Sequence, residues 1–289
     1  MKNTMKKPVN IPVSKLRPFE GHPFKVKDDE EMNTLIESVQ TTGILSPLIV
    51  RPIENTEEYE VISGHRRLHA AVKAGITEVP ALIYALDRDS AAIAVVDSNL
   101  HREHILPSEK AFAYKLKMEA LSHQGKRTDL TSTQPVAKLR TGDIIGETLN
   151  ESRETVRRFI RLTHLIPELL DLMDEGKIAL MVGEALSYLG DEEQYAVLEE
   201  CEMNDCTPSY AQAVEMKKRF QDRQLSAYDI GEILSREKAN QKETIKIPSA
   251  RLAGKIPSGY TLQQKEDFII KAVDYYNKYR ARQRDRDSR

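Results

Sequence analysis

Along the first third of the chain, short β-branched runs alternate with helix-spaced apolar positions, the pattern of a small mixed α/β unit. Leu48-Ile49-Val50, bounded by Pro47 and Pro52, predicts a strand, and so does Tyr59-Glu60-Val61-Ile62, which alternates before Ser63-Gly64. Val79 to Tyr84 predicts a third. Between them Met32, Leu35, Ile36 and Val39 fall at helical spacing from Glu30 to Thr42 and stop at Gly43, which suits a left-handed cap. His65 to Ala74 repeats that arrangement and stops at Gly75.

After Asp87 the strand signal fades, and amphipathic helices are expected from Ser90 to about Phe220. His123 to Gln134 is polar and aperiodic and reads as a mobile loop. A charged connection after Arg223 leads to Ile245-Lys246-Ile247-Pro248 and a last helix from about Leu262 to Arg282. The expected class is α+β: a mixed α/β domain over 1-100, an all-α domain over 101-225, and a small C-terminal helical region over 226-289. In that last region Ile269, Val273 and Tyr276 form one apolar stripe, suited to a weak dimer seam or a docking helix, ahead of a basic run that either touches DNA or frays.

With 289 residues, 40% hydrophobic and 30% charged, two or three domains are expected rather than one. A formal charge of -2 excludes a uniformly basic DNA-coating protein, so any nucleic-acid affinity has to come from local clusters of Lys and Arg. Cys201 and Cys206 are too few for a disulfide framework and read as reduced thiols. The start is lysine-rich with no apolar stretch behind it, and no segment has the apolar length to span a bilayer, so a soluble cytoplasmic protein is expected.

Two segments carry candidate chemistry. Glu60 to Arg67 runs from a strand through Gly64 into a helix, so free backbone N–H groups and the Arg66 and Arg67 guanidinium groups converge on one helix start, a geometry that attracts phosphate. A capped helix with two solvated arginines fits the same residues. Ser98 to Glu103 supplies an amide, a guanidinium and a carboxylate that suit a metal–phosphate group, or equally a surface helix with an internal ion pair.

Farther on, Thr141 to Asn150 reads as a short helix capped by Thr141, with Ile144, Ile145 and Leu149 turned inward. A tight turn follows, and Ser152 caps a second helix from Arg153 to Thr163, whose Arg153, Arg157 and Arg161 recur every four residues. This is the layout of a helix-turn-helix. In such a unit Ser152, Arg153, Glu154 and Arg157 meet base edges, Arg158 and Arg161 meet phosphates, and Thr141 and Thr155 are further DNA-binding candidates, whereas a solvated helix face would carry the same arginines.

In this order the pieces resemble the ParB/RepB family of DNA partition proteins, over roughly Ile11 to Leu189. Ile36 to Val39 with Gly43 to Arg51 resembles the family's first box, Gly64 to Ala71 its arginine-bearing second box, and Asn99 to Arg102 with Pro107 to Ala111 its third. His22 to Lys25 looks like a shortened early nucleotide-contacting segment. The resemblance implies a ParB/sulfiredoxin-like first domain that binds CTP with Mg2+, a helix-turn-helix on a centromere-like double-stranded DNA site, and a homodimer that closes on DNA as a nucleotide-controlled clamp. It also implies a ParA-type ATPase as partner.

Carried over, the nucleotide contacts fall on Phe24, Lys25, Gly64, His65, Arg66, Arg67, Asn99, Arg102 and Glu103, with Asn99 at the metal. His65 stands where the second box commonly has Glu, and Ser98 where an acidic residue precedes the asparagine, so CTP hydrolysis as a switch is less secure than CTP binding. The alternative is a nucleotide-independent repressor or replication regulator using the same helix-turn-helix. No cysteine lies near Gly64 to Arg67, so a sulfiredoxin nucleophile is missing.

Overall fold

The computed structural model describes residues 7–102, 104–128, 145–146, 151–236, 252, 254–257 and 259–287. It divides into a compact unit through Arg236 and a second unit from Glu237.

The first unit opens on a five-stranded sheet of β1 (Val9–Pro12), β2 (Leu16–Pro18), β3 (Leu48–Pro52), β4 (Tyr59–Ser63) and β5 (Glu78–Ile83), ordered β1-β5-β3-β4-β2. β1 runs antiparallel to β5 and β3 to β4, whereas β5 lies parallel to β3 and β2 to β4. The three expected strands are the interior ones. β1 and β2 escaped the sequence pattern because each is very short and ends in proline, which a sheet accepts at its edges.

The period of two decides what lies on each face. Val61 points to the side covered by α1 (Glu30–Thr42) and α2 (His65–Lys73), among Met32, Val39, Ala70 and Ala71. Its neighbour Ile62 points the other way, to Phe19 and to Ala91, Val95 and Ala120 of α3 (Arg88–Asn99) and α4 (Pro107–Thr128). Both α1 and α3 start on an acidic cap: Asp29 accepts from the Met32 N–H at 2.9 Å and Asp87 from that of Ser90 at 2.7 Å.

One expectation fails here. The stretch His123 to Thr128 is the last turn and a half of α4, not a loop, while residues 129–134 lie outside the described ones. Its first two side chains have partners: the His123 ring lies 3.2 Å from the Asp89 carboxylate, and Gln124 donates to Ser90 Oγ at 3.3 Å. These are contacts to another helix, which apolar periodicity does not register.

Beyond α4 the described residues of the unit are all-α: α5 (Arg153–Leu162), α6 (Pro167–Asp174), α7 (Leu180–Leu186), α8 (Asp191–Met203), α9 (Tyr210–Gln221) and α10 (Ala227–Ser235). They enclose Leu162, Leu169, Leu186, Val197, Met216 and Ile233. Ile230, Ile233 and Leu234 of α10 belong to this core, so the compact unit continues past 225 to Arg236. In the second unit α11 spans Leu262–Asp287, longer than the sequence indicated, and of its expected stripe Val273 and Tyr276 are exposed. Among the described residues no helix is long and apolar enough to cross a membrane.

The sheet and α3 are joined by one buried carboxylate. Glu60, 5% exposed, accepts from Arg51 Nε at 2.7 Å, from Arg88 Nη1 at 2.8 Å and from the Glu20 N–H at 3.1 Å. Replacing Glu60 with Ala leaves Arg51 enclosed without a counter-charge, and removing one partner of a buried pair costs about 3 kcal/mol. Urea unfolding of E60A is expected to show a lower midpoint with an unchanged slope.

Candidate functional sites

β4 ends directly in Gly64, whose φ of 103° only glycine adopts without strain, and the chain turns there into α2. A Cβ at Gly64 would also lie 3.1 Å from both the Arg67 side chain and Leu48. Because α2 begins without a side-chain cap, its first N–H groups are open to an external acceptor. Around this helix start stand His65, Arg66, His22, Phe24 and Arg102.

The His22 and His65 rings lie 3.8 Å apart, and the Arg102 guanidinium sits 5.5 Å from the centre of the Phe24 ring. His65 Nε2 accepts from the Phe19 N–H at 3.4 Å. Burial, followed by the charges of His22 and Arg102, pushes the His65 pKa down to about 3, so the ring is neutral. Burial lowers His22 as well, where Arg102 adds to the effect. His22 Nδ1 is 2.8 Å from the Phe24 carbonyl and donates to it, while its Nε2 is buried and has no hydrogen-bond partner among the described residues.

Arg102 still reaches solvent, yet partial desolvation lowers it, and Arg66 adds like charge against the opposing pull of Glu109. Arg66 itself rests 3.1 Å from Glu31 and 3.7 Å from Asp29 at the start of α1, in exposed pairs that hold it weakly. Two guanidinium groups with slack, an open helix start and a buried acceptor therefore share one place. That set fits a nucleotide's phosphates.

Other expected contacts are committed elsewhere. Arg67 turns away and donates to the Ser46 carbonyl and, at 2.9 Å, to the Pro47 carbonyl, pinning the entry to β3. The Lys25 ammonium faces Asp171 at 3.5 Å and Asp174 at 3.8 Å on α6, while its N–H donates to Glu109 at 2.8 Å. Asn99 is buried, and its amide NH2 donates to the Val95 carbonyl at 2.8 Å and to Ser98 Oγ at 3.2 Å. Glu103 lies outside the described residues. With Asp97 held at 2.5 Å by the enclosed Lys117, the described donors for Mg2+ are the neutral oxygens of Asn99 and Ser98, which fit an ion that the phosphates also hold.

Of the expected helix-turn-helix, Thr141 and the rest of the expected first helix except Ile145 and Gly146 lie outside the described residues; those two are helical, and Ile145 is buried with Tyr114 and Val156. The Glu151 N–H donates to the Gly146 carbonyl at 2.9 Å, and a Cβ on Gly146 would meet the Glu151 oxygen at 2.5 Å. Glu151 is tied to α4, accepting from Tyr114 Oη at 2.9 Å and from Lys110. Ser152 caps α5, accepting from the Thr155 N–H at 3.1 Å, with the two hydroxyls 2.8 Å apart.

The arginines of α5 divide into two kinds. Arg153, Glu154 and Arg157 are exposed, and Arg157 has no ion-pair partner among the described residues. Arg158 lies 3.3 Å from Glu184, and Arg161 donates to the Ser187 carbonyl at 2.6 Å and to Ser187 Oγ at 3.2 Å. The sequence did not single out the acidic partners Asp29 and Glu31, which stand in no motif, and although His22 and Glu109 lie in the resembling segments, their roles depend on contacts made only in the fold.

Residues 1–100 match the family model for the ParB N-terminal domain. They belong to that family. The ParB N-terminal domain thus covers the sheet, α1 to α3 and the Gly64 turn. The chain is 33% identical over 193 residues to the chromosome-partitioning protein Spo0J of Thermus thermophilus, covering 66% of this chain and 64% of that one. It is 32% identical to a nucleoid occlusion protein of Geobacillus thermodenitrificans (64% and 59% covered) and 27% identical to a probable chromosome-partitioning protein ParB of Vibrio cholerae (86% and 78%). It spans less than two thirds of the first two relatives. Among solved structures, the truncated Caulobacter crescentus ParB complexed to its centromeric parS site aligns at TM-score 0.42 and 22% identity, over 78% of this chain and 98% of that one. The same protein complexed with CTP-gamma-S aligns at 0.31 and 25%, over 67% and 97%.

The neutral His65 has a consequence for acid stability. Its folded pKa of about 3 lies below the ordinary 6.5, so the unfolded chain takes up a proton first as pH falls, and stability present above the ordinary value is lost on the way down. Melting temperatures measured from about pH 7 to about pH 4 are expected to fall less steeply for His65→Gln than for the unaltered chain.

Proposed function

We propose that this chain is a ParB-type DNA partition protein in which CTP bound at the Gly64 turn controls how a helix-turn-helix dimer holds a centromere-like DNA site. The observation that carries the reading is the convergence of Arg66, Arg102, His22 and Phe24 on the uncapped start of α2, in a domain joined through α4 to the arginine-bearing α5. Membership in the ParB N-terminal domain family and identity with chromosome-partitioning relatives agree with it.

Arg66 and Arg102 would contact phosphate oxygens and the α2 N–H groups would complete the cradle; Asn99 would help hold a Mg2+, which would supply charge neutralisation for the triphosphate. His65 positions His22 through ring contact rather than acting as a base, because its lone pair is already occupied. The site therefore carries CTP binding further than CTP hydrolysis. On the DNA, Arg157 is the foremost base reader and Ser152, Arg153 and Thr155 set the entry of α5 into the groove. A second copy of the chain and a ParA-type ATPase complete the assembly this reading calls for.

Saturating CTP with Mg2+ is expected to raise the melting temperature, because a ligand that binds only the folded chain adds about 2.7 kcal/mol at a hundredfold excess over its Kd. Arg66→Ala and Arg102→Ala are expected to abolish that shift and leave DNA binding measurable. Specific DNA affinity should fall about 10-fold or more in Arg157→Ala, the loss of one well-made base contact, with the CTP shift retained. DNA binding with no CTP shift in the unaltered chain would replace this reading with that of a nucleotide-independent repressor.

A further inference from the structure

From the arginines of α5 a cationic surface continues beyond the helix-turn-helix, onto the turn after α7 and the end of α9. Its centre is Tyr188, in the turn between α7 and α8. Two cations sit over this ring, the Arg161 guanidinium at 4.2 Å from the centroid and the Lys217 ammonium of α9 at 3.4 Å. A groove of about 450 Å³ leads to it from α5, lined by Arg157, Arg158, Arg161 and His164. Another, of about 440 Å³, continues from Tyr188 past Phe220 and Gln221 to Arg223 beyond the end of α9.

Lys218 lies next to Lys217 and lines a third hollow against α7. Lys218 and Arg223 are both exposed, and neither has a carboxylate partner among the described residues. The carboxylates lining these grooves are Glu154, Glu184 and Glu193, and Glu184 is already paired with Arg158. Cations therefore outnumber acids along a path that begins at α5.

We infer that a DNA duplex engaged by α5 extends across this surface, its backbone phosphates meeting Lys218 and Arg223 and flanking the Tyr188–Lys217 platform. The inference rests on the helix-turn-helix reading of α5. Two features select this occupant: the surface is continuous with α5, and its unpaired charges are those that position a polyanionic backbone without reading sequence. Arg161 links the two parts, since its bonds to Ser187 hold the Tyr188 turn against the helix that enters the groove.

The test is a fluorescence-anisotropy titration of the full chain with a mixed-sequence duplex several helical turns long, repeated over a range of salt concentrations. The variants are the double substitution Lys218→Gln with Arg223→Gln and, separately, Arg157→Ala. Each lost phosphate contact lowers the slope of log affinity against log salt by about 0.9, so the double variant is expected to lose about 1.8 and to bind roughly 60-fold more weakly at about 0.1 M salt, with the two chains converging toward about 1 M. Melting temperature serves as the folding control, and both surface positions are solvated enough to leave it unchanged. An unaltered slope and affinity in the double variant, with weaker binding by Arg157→Ala, overturns this inference and leaves the helix-turn-helix standing. Unaltered binding by all variants overturns both. Weaker binding at an unaltered slope also counts against it, since the lost contacts would then not be to phosphates.

Discussion

The carboxylate of Glu109 near the start of α4 accepts from the Lys25 N–H and from the Leu106 N–H, and it is buried. A buried carboxylate with both oxygens engaged is costly to move, because either released oxygen loses a partner in surroundings where water does not replace it. This contact holds the His22 to Lys25 segment to the helix that also carries Tyr114, and Tyr114 in turn holds Glu151 at the turn before α5. Next to it, Ser108 donates its N–H and hydroxyl to Asp174, at 2.9 and 2.6 Å, fastening α4 to α6. The proposed nucleotide cluster and the proposed DNA helix are thus attached to neighbouring turns of one helix, and a shift of α4 disturbs both.

The arginines show how the same side chain serves two ends. Arg51, Arg67 and Arg161 give their donors to carboxylates or backbone carbonyls in enclosed places, where leaving the acceptor unsatisfied would cost more than an exposed pair returns. Arg66, Arg102 and Arg157 are solvated, and their partners are exposed carboxylates, an aromatic face or none among the described residues. Exchanging such contacts for phosphate oxygens costs little. That difference in commitment, rather than arginine content, separates fold-holding from ligand-facing positions here.

Much of the architecture was legible in the residues themselves. The interior strands, the first two helices and α5 follow from local patterns: alternation, helical spacing, Gly43 and Gly64 as turn formers, and Ser152 as a cap. These depend on neighbours a few positions away, which is the range over which backbone geometry is set. The Gly64-led arginine pair and the arginine stripe of α5 were visible for the same reason. The edge strands were not, because three or four residues ending in proline carry no period, and the end of α4 was not, because its polar side chains find partners on α3.

What the order of residues determined, then, is which segments form elements and where charge accumulates along them. Tertiary structure alone decided which charges remain available. It spent Arg67 on the entry to β3 and Lys25 on α6, set His22 beside His65, and placed Lys217 over Tyr188 from a helix nearly thirty residues farther along the chain. The reason is physical: a side chain's charge is written in the sequence, but its partner is whichever group folding brings within hydrogen-bond reach, and most of those groups are far away along the chain.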